Sequence, residues 1–226
     1  MTLTQALHIR PGVTAVIGGG GKTTLLRTLG EELARGGHRV LLCTTTKIYP
    51  FPGLENVTGG GVRELAAALG RCPLACTGTP VADTGKLTAP ELSMGALAEL
   101  AEYVLVEADG AAGRPMKAHA AHEPVIPTEA NEVICVVGAS GFGQLISLAA
   151  HRPELYAQRA GTVPDALITP ELEAAVLLAE GLHHRVYVNQ AESPRGLAAA
   201  KQLQKLLPCP VAAGALRTEG SQVLCW

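Results

Sequence analysis

Aromatic side chains are scarce in this chain of 226 residues, which holds four Tyr, two Phe and one Trp, 3% of the total. So thin a supply of flat rings excludes a surface built to stack single-stranded nucleic acid. Charge is limited as well: 18 Lys and Arg stand against 20 Asp and Glu, a net of -2. That balance gives no sign of the basic face needed to neutralise a phosphate backbone. No apolar run approaches the ~20 residues of a membrane-spanning helix. The opening "MTLTQALHIRPG" lacks the basic start and apolar stretch of a secretory signal, so a cytoplasmic location is expected. The cysteines are unpaired in pattern: "CPLAC" sets Cys72 and Cys76 at a spacing other than C-x-x-C, and no second pair completes a zinc or redox site. Together with Cys43, Cys135, Cys209 and Cys225 they read as small, buried apolar residues in a reducing compartment.

What the chain does have is apolar content, 47% of its residues, enough for the core of a single domain over 1–226. Short runs, "VTAVIG" (13–18), "RVLLC" (39–43), "YVLVE" (103–107), "EVICVVG" (132–138), "RVYVN" (185–189) and "PVAAGAL" (210–216), alternate with helical patterns. Such spacing predicts a mainly parallel sheet flanked by helices, a three-layer α/β fold. The first helix presents Leu25, Leu26, Leu29 and Leu33 on one face and stops at Gly36-Gly37. Thr169-Pro170 and Ser193-Pro194 each set a capping hydroxyl before a proline suited to the first helical position. Thr88 with Glu91 has the spacing of a capping box ahead of "LSMGALAELA". The Gly- and Pro-rich stretch at about 50–88 reads as the least regular part, an insertion with a small hairpin at "VADTGKLT".

One stretch dominates the functional reading. "VIGGGGKTTLL" (16–26) places Gly18, Gly19, Gly20 and Gly21 between an apolar strand and a helix that opens with Lys22, Thr23 and Thr24. Glycines let consecutive N–H groups turn inward, the helix start adds its positive end, and the lysine reaches terminal phosphate oxygens while a threonine hydroxyl meets Mg²⁺. The common loop would carry glycine at Val16, so this is a shorter variant, G-x-x-G-K-T-T.

A phosphate loop calls for an acid at the end of a second strand. "YVLVEADG" supplies Glu107 and Asp109, two carboxylates on the same side of a strand end; one would hold magnesium and the other would orient water or substrate, with the division open. "TTTK" follows the second strand, where ligands of open α/β sheets bind, so Thr45, Thr46 and Lys47 are candidates to meet a terminal phosphate or a second anionic substrate. "GAAGRPMKAHAAHEP" (110–124) adds Arg114, Lys117, His119, His122 and Glu123 to a loop able to clamp an anion. His119 and His122 have the spacing of a metal pair, but no cysteine adjoins them. Lys22, Lys47, Glu107, Asp109 and Arg114 are thus the groups expected to carry a reaction. "VNQAE" holds Asn189 and Glu192 where a guanine-reading Asn-Lys-x-Asp element would stand, with Gln190 and Glu192 in place of its lysine and aspartate. "GASGFG" (138–143) misses the G-x-S-x-G hydrolase pattern because Phe142 replaces its last glycine.

The order of "VIGGGGKTTLL", "TTTKIYP", "VLVEADGAAGRPMKAHAAHEPVIP", "HRPEL" and "ITPE" resembles the YqeC family, accessory proteins of selenium-dependent molybdenum hydroxylases. The resemblance runs through nearly the whole chain, and the acidic block is its most specific part. It implies a P-loop NTPase-like fold and a role in maturing such a hydroxylase, with that enzyme or its cofactor-delivery proteins as partner; the loop and acids themselves call for ATP or GTP with Mg²⁺. His119 departs from it, standing where proline would be expected. With that resemblance, the residues leave three functions open: an NTPase driving maturation or cofactor insertion, a small-molecule kinase or ligase, and a nucleotide-responsive binding protein without turnover.

Overall fold

The computed structural model describes residues 1–216 and 224–225. In chain order its elements are α1 (Leu3–Ala6), β1 (Gly12–Gly18), α2 (Lys22–Arg35), β2 (Val40–Thr44), β3 (Glu55–Thr58), α3 (Val62–Arg71), β4 (Leu74–Val81), β5 (Lys86–Thr88), α4 (Met94–Leu100), β6 (Tyr103–Glu107), β7 (Met116–Lys117), β8 (Ala130–Gly138), α5 (Ile146–Ala149), β9 (Ala150–His151), α6 (Pro153–Ala160), α7 (Pro170–Glu180), β10 (Arg185–Asn189), α8 (Pro194–Leu206), β11 (Val211–Ala213) and β12 (Leu224–Cys225).

The main sheet runs in the order β12-β11-β10-β8-β1-β6-β2-β4-β3, with β5 on β4. Every pairing is parallel except β11 with β12 and β4 with β5. Alternation along the strands then decides the layers. Val16, Leu42 and Leu105 pack with Leu25, Leu26 and Leu29 of α2 on one face. On the opposite face Val13, Leu41 and Val104 meet α3 and α4, and Ile17, Val133 and Val137 meet α6, α7 and α8. The result is the three-layer α/β fold expected from the alternation of strands and helices.

Local signals place most helix starts. Thr169 accepts from the Leu172 N–H and Ser193 from the Gly196 N–H, each ahead of its proline. The Thr88 capping box is not formed: Thr88 closes β5 and donates to the Thr46 carbonyl, and Ser93 caps α4 by accepting from the Ala96 N–H. The stretch at 50–88 is more regular than its glycines and prolines suggest, because β3, α3 and β4 form a parallel unit on the main sheet; "VADTGKLT" makes the β4–β5 hairpin. Cys43, Cys76 and Cys135 are buried, whereas Cys72 is exposed and Cys209 half-buried; the side chain of Cys225 lies outside the described residues. Burial in apolar surroundings pushes the Cys76 thiol up to about 12, so it is inert. Among the described residues no helix is long and apolar enough to cross a membrane.

Because β10, β8, β1, β6, β2 and β4 are mutually parallel, their carboxyl ends open on one edge of the sheet. Loops leaving that edge build the site.

Candidate functional site

The glycine loop leaves β1 with Gly18 at φ +96 and passes through Gly20 at φ +76 to Gly21 at φ +121, the N-cap of α2. Positive φ of this kind is accessible to glycine at little cost, and space also forbids a side chain: a Cβ at Gly20 would lie 2.4 Å from the Gly138 Cα. Gly19 has no positive φ, yet its Cβ would meet the Arg114 and Pro115 carbonyls at 2.7 and 2.8 Å. Gly20 donates to that Arg114 carbonyl at 3.0 Å, so the loop after β6 closes directly onto the glycines. No side chain caps α2; its first-turn N–H groups and positive dipole end open into a cavity of about 950 Å³ that Gly20, Gly21, Lys22, Thr23 and Thr24 line.

β1 and β6 are paired in register, Val16 opposite Glu107, so the end of β6 stands beside the loop. Here the two acids part. Glu107 lines the cavity and accepts a 2.7 Å hydrogen bond from the Thr23 hydroxyl. Burial raises its carboxyl above the usual range, partly offset by Lys22, 4.0 Å away, and by Thr23. Asp109 is fully buried and does not line the cavity. Its Oδ2 accepts from the Gly18 N–H at 3.0 Å and lies 2.9 Å from Lys117 Nζ and 2.7 Å from His119 Nε2, while Lys22 Nζ stands 3.2 Å from Oδ1. Burial alone would raise its carboxyl, but the His119 hydrogen bond and the two ammonium groups outweigh burial and hold it well below the usual range.

Only the first acid suits a divalent cation. Mg²⁺ takes hard oxygen ligands, commonly one or two carboxylates plus phosphate oxygens, and adjacent ligands of its octahedron stand about 2.9 Å apart. The Thr23 hydroxyl and Glu107 carboxylate, at 2.7 Å, fit that pairing. Asp109, ringed by cationic partners, is a brace under the loop. Among the described residues no group of three or more His, Cys, Asp or Glu is placed to hold a metal by itself.

Several residues singled out by sequence take other roles. The Lys117 side chain is fully buried, bound to Asp109, to Glu123 at 3.0 Å and to the Gly110 carbonyl, because the β7–β9 pairing anchors it beneath the loop; it is closed to a substrate. Glu123 is held by Lys117 and by Arg152 at 2.8 Å; burial pushes its carboxyl up, but these two cations win and carry it down to about 2. His119 bridges Asp109 and Glu180, with Nδ1 2.6 Å from the Glu180 carboxylate, which Arg159 also binds. Burial opposes its protonation, yet the two carboxylates raise its pKa. His122 is exposed and outside the cavity, so the two histidines form no metal pair. The hydroxyls of Thr45 and Thr46 serve the loop itself, one donating to the Val125 carbonyl at 2.6 Å and the other shared with Thr44 at 3.2 Å.

Lys47, Arg114, Asn189 and Glu192 do line the cavity. Asn189 has both amide ends engaged: its Nδ2 donates to the Gly20 carbonyl at 2.7 Å and its Oδ1 accepts from the Leu216 N–H at 3.2 Å. It therefore ties the phosphate loop to the segment after β11. Glu192 is exposed at the same end. Sequence reading missed Lys86, Glu180 and Arg159. The first was visible only as a hairpin lysine, and the other two lie on helices remote in sequence from the glycines.

Residues 14–154, more than half of the chain, match the YqeC protein family model. The "Uncharacterized protein YqeC" of Escherichia coli (strain K12) is 37% identical over 166 residues, 70% of this chain, and the match spans 64% of that relative's length. Among solved structures, the Signal Recognition Particle 54 kDa protein of Aeropyrum pernix K1, in complex with GDP, aligns over 96% of this chain and 44% of its own with 17% identity and a TM-score of 0.42. Matched from the phosphate-loop strand through the acidic block to the start of α6, the chain belongs to the YqeC family.

Proposed function

We propose that the cavity binds a nucleoside triphosphate with Mg²⁺ and that the chain cleaves its terminal phosphoanhydride bond, water being the acceptor in simple hydrolysis. The observation that carries this reading is the 2.7 Å contact between Thr23 and Glu107 at the mouth of the glycine loop. It joins the first helical turn to the end of the neighbouring strand, where a metal on the phosphates would need both oxygens.

The roles follow from position. The first-turn N–H groups of α2 receive phosphate oxygens. Lys22 supplies a compact positive charge to the terminal phosphate, and Thr23 with Glu107 would hold the ion, which supplies charge neutralisation on the phosphates when bound. Asp109, held by Lys117 and His119, fixes the Gly18 N–H and the lysine. The end of the cavity lined by Ala139, Ala215 and Leu216, with Glu192 beside them, suits a base, from which the Glu192 carboxylate would accept; ATP and GTP are the two candidates. The family resemblance supplies the setting: nucleotide cleavage coupled to maturation or cofactor insertion of a selenium-dependent molybdenum hydroxylase in the cytoplasm.

Calorimetric titration of the full chain with ATP and GTP, with and without Mg²⁺, tests the reading, together with phosphate release. One nucleotide is expected to bind in a Mg²⁺-dependent manner, and Lys22→Ala to weaken binding about 10- to 100-fold, the loss of one charge-assisted hydrogen bond. Failure of both nucleotides to bind at millimolar concentration would overturn it.

A further inference from the structure

The strand order gives the cavity a direction. Its end with Glu192, Ala215 and Leu216 lies beyond β10 and its centre at β1 and β6, and past Glu107 it continues to the ends of β2 and the β4–β5 hairpin. With neighbouring strands about 4.8 Å apart, β2 lies two steps, about 10 Å, from the phosphate loop, and β4 about 14 Å. A nucleotide with its base at the Glu192 end and its phosphates at the loop leaves this far end uncovered. A volume of about 950 Å³ falls at the top of the roughly 300–1,000 Å³ range for small-molecule pockets.

The far end is cationic, and the backbone fixes it. Ile48 and Leu87 exchange both of their hydrogen bonds, at 3.0 and 2.8 Å, and the Thr88 hydroxyl donates to the Thr46 carbonyl at 2.8 Å. These bonds clamp the β4–β5 hairpin onto the loop after β2, so that Lys47 and Lys86 line the same cavity as Arg114 of the loop after β6. Lys86 lies over the Tyr49 ring, Nζ 5.0 Å from its centroid, which steadies the ammonium without neutralising it. Among the described residues none of these three cations has an ion-pair partner, in contrast to Lys22 and Lys117, each paired with carboxylates. Three cations without ion-pair partners lining one cavity make a positive field there that would concentrate an anion.

We propose that Lys47, Lys86 and Arg114 form a second ligand site, beside the terminal phosphate of the bound nucleotide, for a small molecule carrying a carboxylate or phosphate group. The site rests on the nucleotide reading above. It excludes Lys117, which is buried in ion pairs.

The test uses the full chain saturated with a non-hydrolysable nucleoside triphosphate analogue and Mg²⁺, so that the phosphate loop is filled. Inorganic phosphate and succinate are then titrated separately, with binding read by calorimetry and by amide shifts in nuclear magnetic resonance. At least one probe should bind saturably in the millimolar range, and the stronger of the two identifies the preferred head group. Lys86→Glu should weaken that probe about tenfold or more, and Lys86→Arg should restore it, while affinity for the analogue stays within about twofold, since Lys86 touches only the second anion. Unchanged analogue affinity also shows that the variant is folded; if Lys86→Glu does not fold, Lys86→Gln takes its place with the same expectation. If the analogue binds and neither probe does, or if the Lys86 variants bind the probe as the parent does, the second site is refuted and the nucleotide reading stands. If the analogue does not bind, both fall together.

Discussion

His119 Nε2 lies 2.7 Å from the Asp109 carboxylate, and that same carboxylate oxygen accepts from the Gly18 N–H. Through this one acid the phosphate loop is tied to Lys117 and, by way of His119, to Glu180 at the end of α7 and Arg159 of α6. Glu107, two residues earlier, has none of these partners and faces the cavity. Neighbouring carboxylates thus stand in separate settings, one buried among cations under the loop and one facing the cavity.

Substituting them should separate a structural duty from one directed at ligand. Asp109→Asn leaves Lys22, Lys117 and His119 around a neutral amide, and uncompensated buried charge costs about 3–5 kcal/mol. Glu107→Gln replaces a carboxyl that burial already drives toward its neutral form, so its effect on stability should stay within about 1 kcal/mol. Urea denaturation measures both. Nucleotide titration should show the converse, with Glu107→Gln losing the Mg²⁺ dependence of binding.

Asn189 offers a test of base recognition. Its amide holds the Gly20 carbonyl and the Leu216 N–H, so Asn189→Ala removes two hydrogen bonds, about 1 kcal/mol each, from the scaffold of the loop. ATP and GTP affinities should fall by the same factor. Glu192→Gln is expected to change their ratio instead, and competition titrations read the two effects side by side.

Gly20→Ala should disable the loop without removing any functional group. A left-handed conformation combined with a Cβ 2.4 Å from Gly138 forces the backbone to move, at a cost of about 1–3 kcal/mol for strained φ alone. The expected outcome is a lower midpoint of thermal unfolding together with loss of nucleotide binding. Gly37→Ala, at φ +88 with nothing within 4 Å of its Cβ, should destabilise through strain alone and leave binding intact.

Stability should also respond to pH through Glu173, which is buried and accepts from the Tyr156 hydroxyl at 2.5 Å. Burial raises its carboxyl from 4.5 to about 7, against the lowering effect of that hydroxyl. With the folded value above the unfolded one, the folded state binds the extra proton, and stability declines as pH rises from about 4.5 to 7. Glu123 has the opposite sign: its carboxyl is lowered to about 2, so its contribution is full above about 4.5 and is lost as pH falls. Denaturation midpoints across pH 2 to 8 should show Glu173→Gln reducing the decline toward neutrality while the loss at acid pH remains.

The elements legible in the sequence are those specified by short-range rules. Apolar runs gave "YVLVE" and "RVYVN" their strand limits, hydroxyl-proline pairs set the starts of α7 and α8, and four glycines before Lys22 marked the turn from β1 into α2. The β3–α3 unit was hidden because its glycines and prolines mimic irregular chain, and its pairing with β4 is long-range.

By itself the sequence determined the parallel α/β class and the place of the glycine turn between β1 and α2, since both follow from local periodicity and from backbone angles that glycine adopts at little cost. Tertiary structure alone decided which acid faces the cavity, because the protonation and reach of Glu107 and Asp109 depend on Lys117, His119 and Glu180, brought together only by folding. It also decided that Lys117 is buried while Lys86 joins Lys47 at the cavity rim. An isolated lysine in sequence gives no sign of its partners, and for a charged group the partners and the surrounding dielectric set the outcome.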